Sequence, residues 1–225
     1  MTPKLETFSD WLSVSTDIKI NQLRDYLEIL NNQLIIIATD YEEKTESLAK
    51  QIENQRERDE FYEFSSSDYW NYKETFPLIL FNSFHVSAYS LLESETFSVS
   101  RRIGKKQKQL FDVSDFGGRD YLKSASTYIN KLTGINIQDF TSWPQVEDAR
   151  TLRNNIVHAN GTLTKKHEID VAKHYDLLNE TNIDISSGRS IKRLSITYDY
   201  NKTFVKTLKN FFSELYGGSK AGDYL

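Results

Sequence analysis

Cysteine is absent from the 225 residues. Disulfides, thiolate zinc sites, iron–sulfur clusters and cysteine nucleophiles are thereby excluded. Proline and glycine are scarce, at three and nine, and so few breakers favour long helices over a many-turned β-sandwich. Long apolar runs are missing too. The longest, residues 34–38 and 76–81, fall far short of a bilayer span. No basic-then-apolar leader opens the chain, so a soluble, cytoplasmic protein without membrane contact is expected. Basic charge is not in excess either. A net charge of −4 and a pI near 5.7 argue against indiscriminate nucleic-acid binding and leave room for a local basic groove. What is present suffices for a core: 38% apolar and 13% aromatic residues exclude a wholly disordered chain. The length fits one large domain.

Periodicity organises the chain. Residues 1–16 read as a polar lead carrying Phe8 and Trp11. Leu23, Leu27, Leu30, Leu34, Ile37 and Tyr41 recur at three- and four-residue steps. They predict one long helix, or two collinear ones, over 17–61, whose charged half (42–60) protrudes or meets a partner. Residues 65–68 (Ser-Ser-Ser-Asp) read as a loop with an N-cap. A second long helix, 76–108, is apolar nearly all round and therefore central. Further helices are expected over 119–132 and 143–158, the latter opened by Trp143-Pro144 and stopped by Asn160-Gly161. Another is expected over 166–178. Period-two alternation at 183–185 and 194–198, around a Ser-Ser-Gly turn, predicts a short β-hairpin. Phe204, Val205, Leu208, Phe211, Phe212 and Leu215 then mark a closing amphipathic helix over 200–216. The expected organisation is one helical domain over 17–216 with a mobile tail, 217–225.

The chemistry concentrates in Arg153-Asn154-Asn155-Ile156-Val157-His158. At ~100° per residue from Trp143, the residues Val146, Ala149, Leu152, Ile156 and Val157 share one apolar arc, roughly 180° to 320°. Arg153 falls inside it, at roughly 280°. An arginine cannot shed its charge, so on an apolar face it must find an anion or reach solvent. Asn154 and His158, four apart, flank the arc near Glu147 and Arg150. Metal-free RNA cleavage needs groups to accept the 2′-hydroxyl proton and to protonate the leaving 5′-oxygen. Imidazole suits both roles. It also needs a cation for the transition-state oxygens, which suits arginine. Asparagine can position the phosphate or orient the imidazole. One helix supplies a single histidine, so two copies about a twofold axis complete the set.

Arg153, Asn154 and His158 match the signature of the HEPN superfamily: arginine, a polar residue directly after it, and a histidine after a spacer of four to six residues, here the four residues 154–157. The chain resembles that family over roughly 18–216 by element order, with a long apolar helix ending in Leu91-Leu92-Glu93-Ser94. The resemblance implies an all-α, HEPN-like helical bundle, with long first and second helices and a hairpin before the last. It also implies a homodimer formed through the motif helices, and a metal-independent endoribonuclease. Toxins and antiphage abortive-infection proteins are the typical setting, with an antitoxin or defence-system protein as partner. The tyrosine two residues after histidine, common in the nucleotidyltransferase-paired branch, is here Asn160, which argues against that class of antitoxin. The same resemblance leaves a non-catalytic RNA-binding or protein-docking module as the alternative.

Supporting assignments follow. Glu93, an anion in an apolar helix, is expected to pair with Arg153 and orient it; an exposed glutamate beside Arg101 or Arg102 is the plainer reading. Arg101, Arg102, Lys105, Lys106 and Lys108 form the first candidate for an RNA-backbone groove, and otherwise complement a helix C-terminus. Arg189, Lys192 and Arg193 are a weaker second candidate. His167 and His174 lack ligand companions, so no metal or cofactor is expected. His85 reads as a satisfied core histidine. The string from Asp112 to Gly118 is turn chemistry without phosphate-loop spacing.

Overall fold

The first helix starts earlier and stops sooner than its periodicity predicts. The computed structural model describes residues 6–116, 120–163, 181–184 and 189–217. Among them are six α-helices: α1 (Glu6–Ala49), α2 (Gln55–Trp70), α3 (Phe76–Lys106), α4 (Tyr121–Thr133), α5 (Trp143–Ala159) and α6 (Tyr198–Gly217). Much of the expected polar lead is thus helical. The expected helix over 17–61 is instead interrupted at 50–54. Asn54 causes the break: its side chain accepts the amides of Arg56 (2.9 Å) and Glu57 (3.4 Å) and starts α2 afresh. Arg58 pins the corner by donating to the Ile52 carbonyl.

The chain then reverses. Tyr62 donates to Glu46, Tyr41 to the Ser65 carbonyl, and Lys19 pairs with Glu95. These contacts run antiparallel along α1 from Lys19 to Glu46. Residues 65–68, expected as a loop, lie inside α2, where the buried Ser65 leaves room for Tyr41. No loop separates α2 from α3 either. A π-helical turn, Asn71–Thr75, joins them, and the Phe76 amide reaches back to the Asn71 carbonyl. Pro77 accounts for the loosened turn, because it has no amide to offer the preceding turn and its ring crowds the backbone there. Residues 55–106 therefore form one jointed helix.

The main core gathers where α1 and α3 meet α4, α5 and α6. Ile20 and Leu27 of α1, Phe84, Tyr89 and Leu92 of α3, Ile129 of α4, Val146 of α5 and Phe211 of α6 are all nearly sealed from solvent. All six residues that mark the closing helix are buried. Beyond Leu34 on α1 and before Leu80 on α3 the hairpin leaves this core. There Ala38, Ala49 and Ser65 are buried, and Ile37, expected on the inward stripe, is exposed.

Gly104 lies where α3 meets α4, and a Cβ there would collide with the hydroxyl of buried Tyr128. Helix α4 is capped at one end by Asp120, which accepts the Lys123 amide, and at the other by the left-handed Gly134. Helix α5 has Pro144 in its first turn and ends on Asn160 at φ 50°. Three short strands follow the order β1 (Thr162–Leu163), β3 (Arg189–Arg193), β2 (Thr181–Asp184), all antiparallel. The hairpin exists, but residues 194–197, expected in it, follow β3 as an extended segment. Their alternation reports one buried side, Leu194 and Ile196 entering a small core with Leu152 and Leu163, while the backbone is held by a side chain and not by a second strand. The buried side chain of Asn82 donates to the Leu194 carbonyl (2.9 Å) and accepts the Ile196 amide (3.0 Å), standing in for a neighbouring strand. The expected helix over 166–178 and the tail from 218 onward lie outside the described residues. No helix among them is long and apolar enough to cross a membrane.

His85 is fully buried against Phe204 and Tyr200, and its Nε2–H donates to the Ala149 carbonyl (3.0 Å). Burial lowers its pKa from 6.5 to about 4. Between those values the unfolded chain binds a proton that the folded chain refuses. Stability is therefore complete above pH 6.5 and falls toward pH 4, by up to about 3 kcal/mol. Urea unfolding of wild type and His85→Gln across this range should show the slope flattened in the variant. Gly104→Ala should lower stability by about 1–3 kcal/mol in thermal melts, because the packed Tyr128 ring cannot yield freely.

Candidate active site on the fifth helix

Two faces build the site. Along α3, Tyr89 and Glu93 are four apart and project together toward α5. Along α5, Arg150, Arg153, Asn154 and His158 line the rim and outer surface. Arg153 is where its helical position demands, between the buried Leu152 and the half-buried Ile156. It meets the need for an anion through Glu93, with Nη2 to Oε2 at 3.5 Å and side chains 26% and 15% exposed. Nη1 donates to Asn154 Oδ1 (3.0 Å), and the guanidinium carbon sits 5.8 Å from the Tyr89 ring centroid. A guanidinium has five N–H donors. Among the described residues two are engaged, and Nε is buried with no hydrogen bond.

The electrostatics around the pair are tense. Burial raises the Glu93 pKa, the Arg153 charge pulls it back, and Asp120 pushes it up again. The Tyr89 hydroxyl is buried without a hydrogen-bond partner among the described residues, and burial together with Glu93 holds its proton firmly. Asp120 serves two elements, capping α4 and accepting Arg150 Nη1 at 2.6 Å, while Arg150 Nη2 reaches Glu147 at 2.9 Å. Arg150, Asp120, Glu147 and Tyr89 were not among the residues singled out as site members in the sequence. The signal for Tyr89 was its i, i+4 spacing to Glu93. Arg150 and Asp120 are brought together only by the packing of α4 on α5.

His158 lies in the last turn of α5, exposed, with no hydrogen bond or ion pair to the described residues. It is five residues beyond Arg153, about 7.5 Å along the axis. Asn154 and Val157 beside it are also exposed. The result is a half-buried, anchored cation and, five residues further along the helix and about 140° around it, an exposed imidazole.

The basic cluster lies farther along α3. Arg101 is occupied by Asp112 (3.1 Å), whereas Arg102, Lys105 and Lys108 are exposed. Lys105 is twelve residues past Glu93, about 18 Å along the axis. Arg193 is exposed, while the side chains of Arg189 and Lys192, together with His167 and His174, lie outside the described residues. Among the described residues no three His, Asp or Glu side chains are grouped to hold a metal ion. Asp112 caps a 3₁₀ turn, Val113–Phe116, and the Ser114 amide lowers its pKa. Comparison with known proteins finds no matching family model, no similar curated protein and no similar solved structure.

The Glu93–Arg153 pair should be energetically coupled. Glu93→Ala strands a half-buried guanidinium and should cost about 1–3 kcal/mol. The double variant with Arg153→Ala should be less destabilised than the sum of the singles, by roughly 0.5 kcal/mol or more in a urea-unfolding cycle. Strict additivity would mean that the ion pair contributes nothing.

Proposed function

We propose that the chain is a HEPN-type, metal-independent endoribonuclease that works as a homodimer through α5. The observation that carries this reading is the state of Arg153. The guanidinium is held from behind by Glu93 and Tyr89 and from the side by Asn154, yet keeps unused donors. Five residues further, an exposed imidazole, His158, has no partner among the described residues. In the proposed reaction one His158 accepts the 2′-hydroxyl proton, and the 2′-oxygen attacks phosphorus. The partner copy's imidazole protonates the departing 5′-oxygen, leaving a 2′,3′-cyclic phosphate. Arg153 from each copy neutralises the non-bridging oxygens. The exposed basic residues Arg102, Lys105 and Lys108 would carry the RNA backbone. A cytoplasmic bacterial toxin or antiphage defence component, held in check by a partner protein, is the setting that suits such an enzyme.

A second reading is favoured by the Arg153–Glu93 pair itself. Packed over Tyr89, it resembles a structural clamp joining α3 to α5, as a non-catalytic RNA-binding or protein-docking module would need.

The two readings separate in a cleavage assay on end-labelled RNA with EDTA present. Under the nuclease reading, Arg153→Ala and His158→Ala each lose about a hundredfold or more in rate. His158 is exposed, so its variant should keep wild-type stability within about 0.5 kcal/mol. Equal cleavage by all three proteins, or a strictly monomeric chain by light scattering, removes the nuclease reading.

A further inference from the structure

Away from α5, the outer part of the helical hairpin carries a groove of about 520 Å³ between α1 and α2. Its walls are the rings of Tyr41, Tyr62 and Tyr69, and its rim carries Glu42, Glu43 and Glu46. The rings are fixed in place. The Tyr41 hydroxyl donates to the Ser65 carbonyl (2.9 Å) and packs on Tyr72, and the Tyr62 hydroxyl donates to Glu46 Oε2 (2.9 Å). Two of the three carboxylates are engaged by lysines, Glu42 by Lys73 (2.9 Å) and Glu46 by Lys50 (3.4 Å). Glu43 is exposed and has no partner among the described residues.

The molecule already shows which charge this surface accepts. Lys73, while paired with Glu42, holds its ammonium 5.8 Å from the Tyr69 ring centroid. An aromatic face plus a carboxylate is the environment that attracts an alkylammonium. We propose that the groove is a docking site for a lysine-bearing basic segment of a partner protein, with an ammonium entering between the tyrosine rings to meet Glu43.

Two observations favour a polypeptide over a small polyamine. Acidity extends well past the groove: residues 40–63 hold nine acids and four bases, a net −5 that exceeds the −4 of the whole chain. Phe64 and Trp70, 84% and 58% exposed, flank the groove on α2, with Trp70 edge-on to Tyr69. An extended segment with apolar residues between its lysines can use both features, and a polyamine can use only the charge. RNA is repelled by the same field.

The test is fluorescence anisotropy at physiological salt, using the full chain and a short labelled peptide that alternates lysine with leucine and glycine. The peptide should bind, and its lysine-acetylated form should not. Tyr62→Leu combined with Tyr69→Leu should weaken binding about tenfold, whereas Tyr62→Phe should retain it. Glu43→Gln, an exposed change that leaves the hairpin folded, should weaken binding several-fold on its own. Undiminished binding by Glu43→Gln or by the double leucine variant would show that bare acidity suffices and overturn the proposal. Displacement by spermidine at or below the peptide's own concentration would assign the groove to a free polyamine. Absence of peptide binding would overturn the docking site outright.

Discussion

Helix α3 is walled in by α1, α4, α5 and α6, and that enclosure governs the molecule. An unpartnered polar group on an enclosed helix is costly; the Tyr89 hydroxyl is one among the described residues, and three other polar side chains are met from neighbouring elements. Asn82 takes the extended segment before α6, His85 takes a carbonyl of α5, and Glu93 takes the guanidinium of Arg153. Each is also a positional lock. The last two fasten α5 at separate points, so its outer face, with Asn154 and His158, is set by the demands of the helix behind it. The candidate site is thus the visible side of a packing solution.

The charges are distributed with the same economy of elements. The acidic, tyrosine-lined groove, one wall of which is α2, and the basic cluster at the end of α3 belong to one jointed helix and its end, on the order of 60 Å apart. A nucleic acid attracted to one end is pushed from the other. The basic cluster that the nuclease reading gives to RNA and the docking groove therefore lie toward opposite ends of the same rod, and occupancy of one need not obstruct the other.

The legibility of this fold in its sequence follows physical lines. Helices with one-sided apolar stripes and explicit stops were readable: α4 ends on Gly134, α5 runs from Pro144 to Asn160-Gly161, and α6 buries each residue its periodicity marks. The ion pair between Glu93 and Arg153 was readable too, because an obligate charge in an apolar arc demands an opposite one. The break at 50–54 was missed although Asn54, followed by Glu57 three residues on, is a helix-start signal; the charge of the region masked it. Residues 65–68 misled because serine triplets favour loops unless a neighbour such as Tyr41 needs the space. Residues 194–197 alternate because Leu194 and Ile196 are buried, but their backbone partner is the side chain of Asn82, which no local pattern reveals. The contribution of Asp120 to Arg150 is likewise a product of packing.

The π turn at Asn71–Thr75 has a geometric consequence. An α-helix advances about 100° per residue, so one residue accommodated in a widened turn changes the phase of everything before it by about that angle relative to the core. The azimuth of Phe64, Tyr69 and Trp70 around the rod is consequently set by this single joint, as a keyway sets the angle of a cam on its shaft. A chain of the same composition with an unbroken α-helical repeat through residue 77 would aim those rings in another direction while leaving the core behind them unchanged.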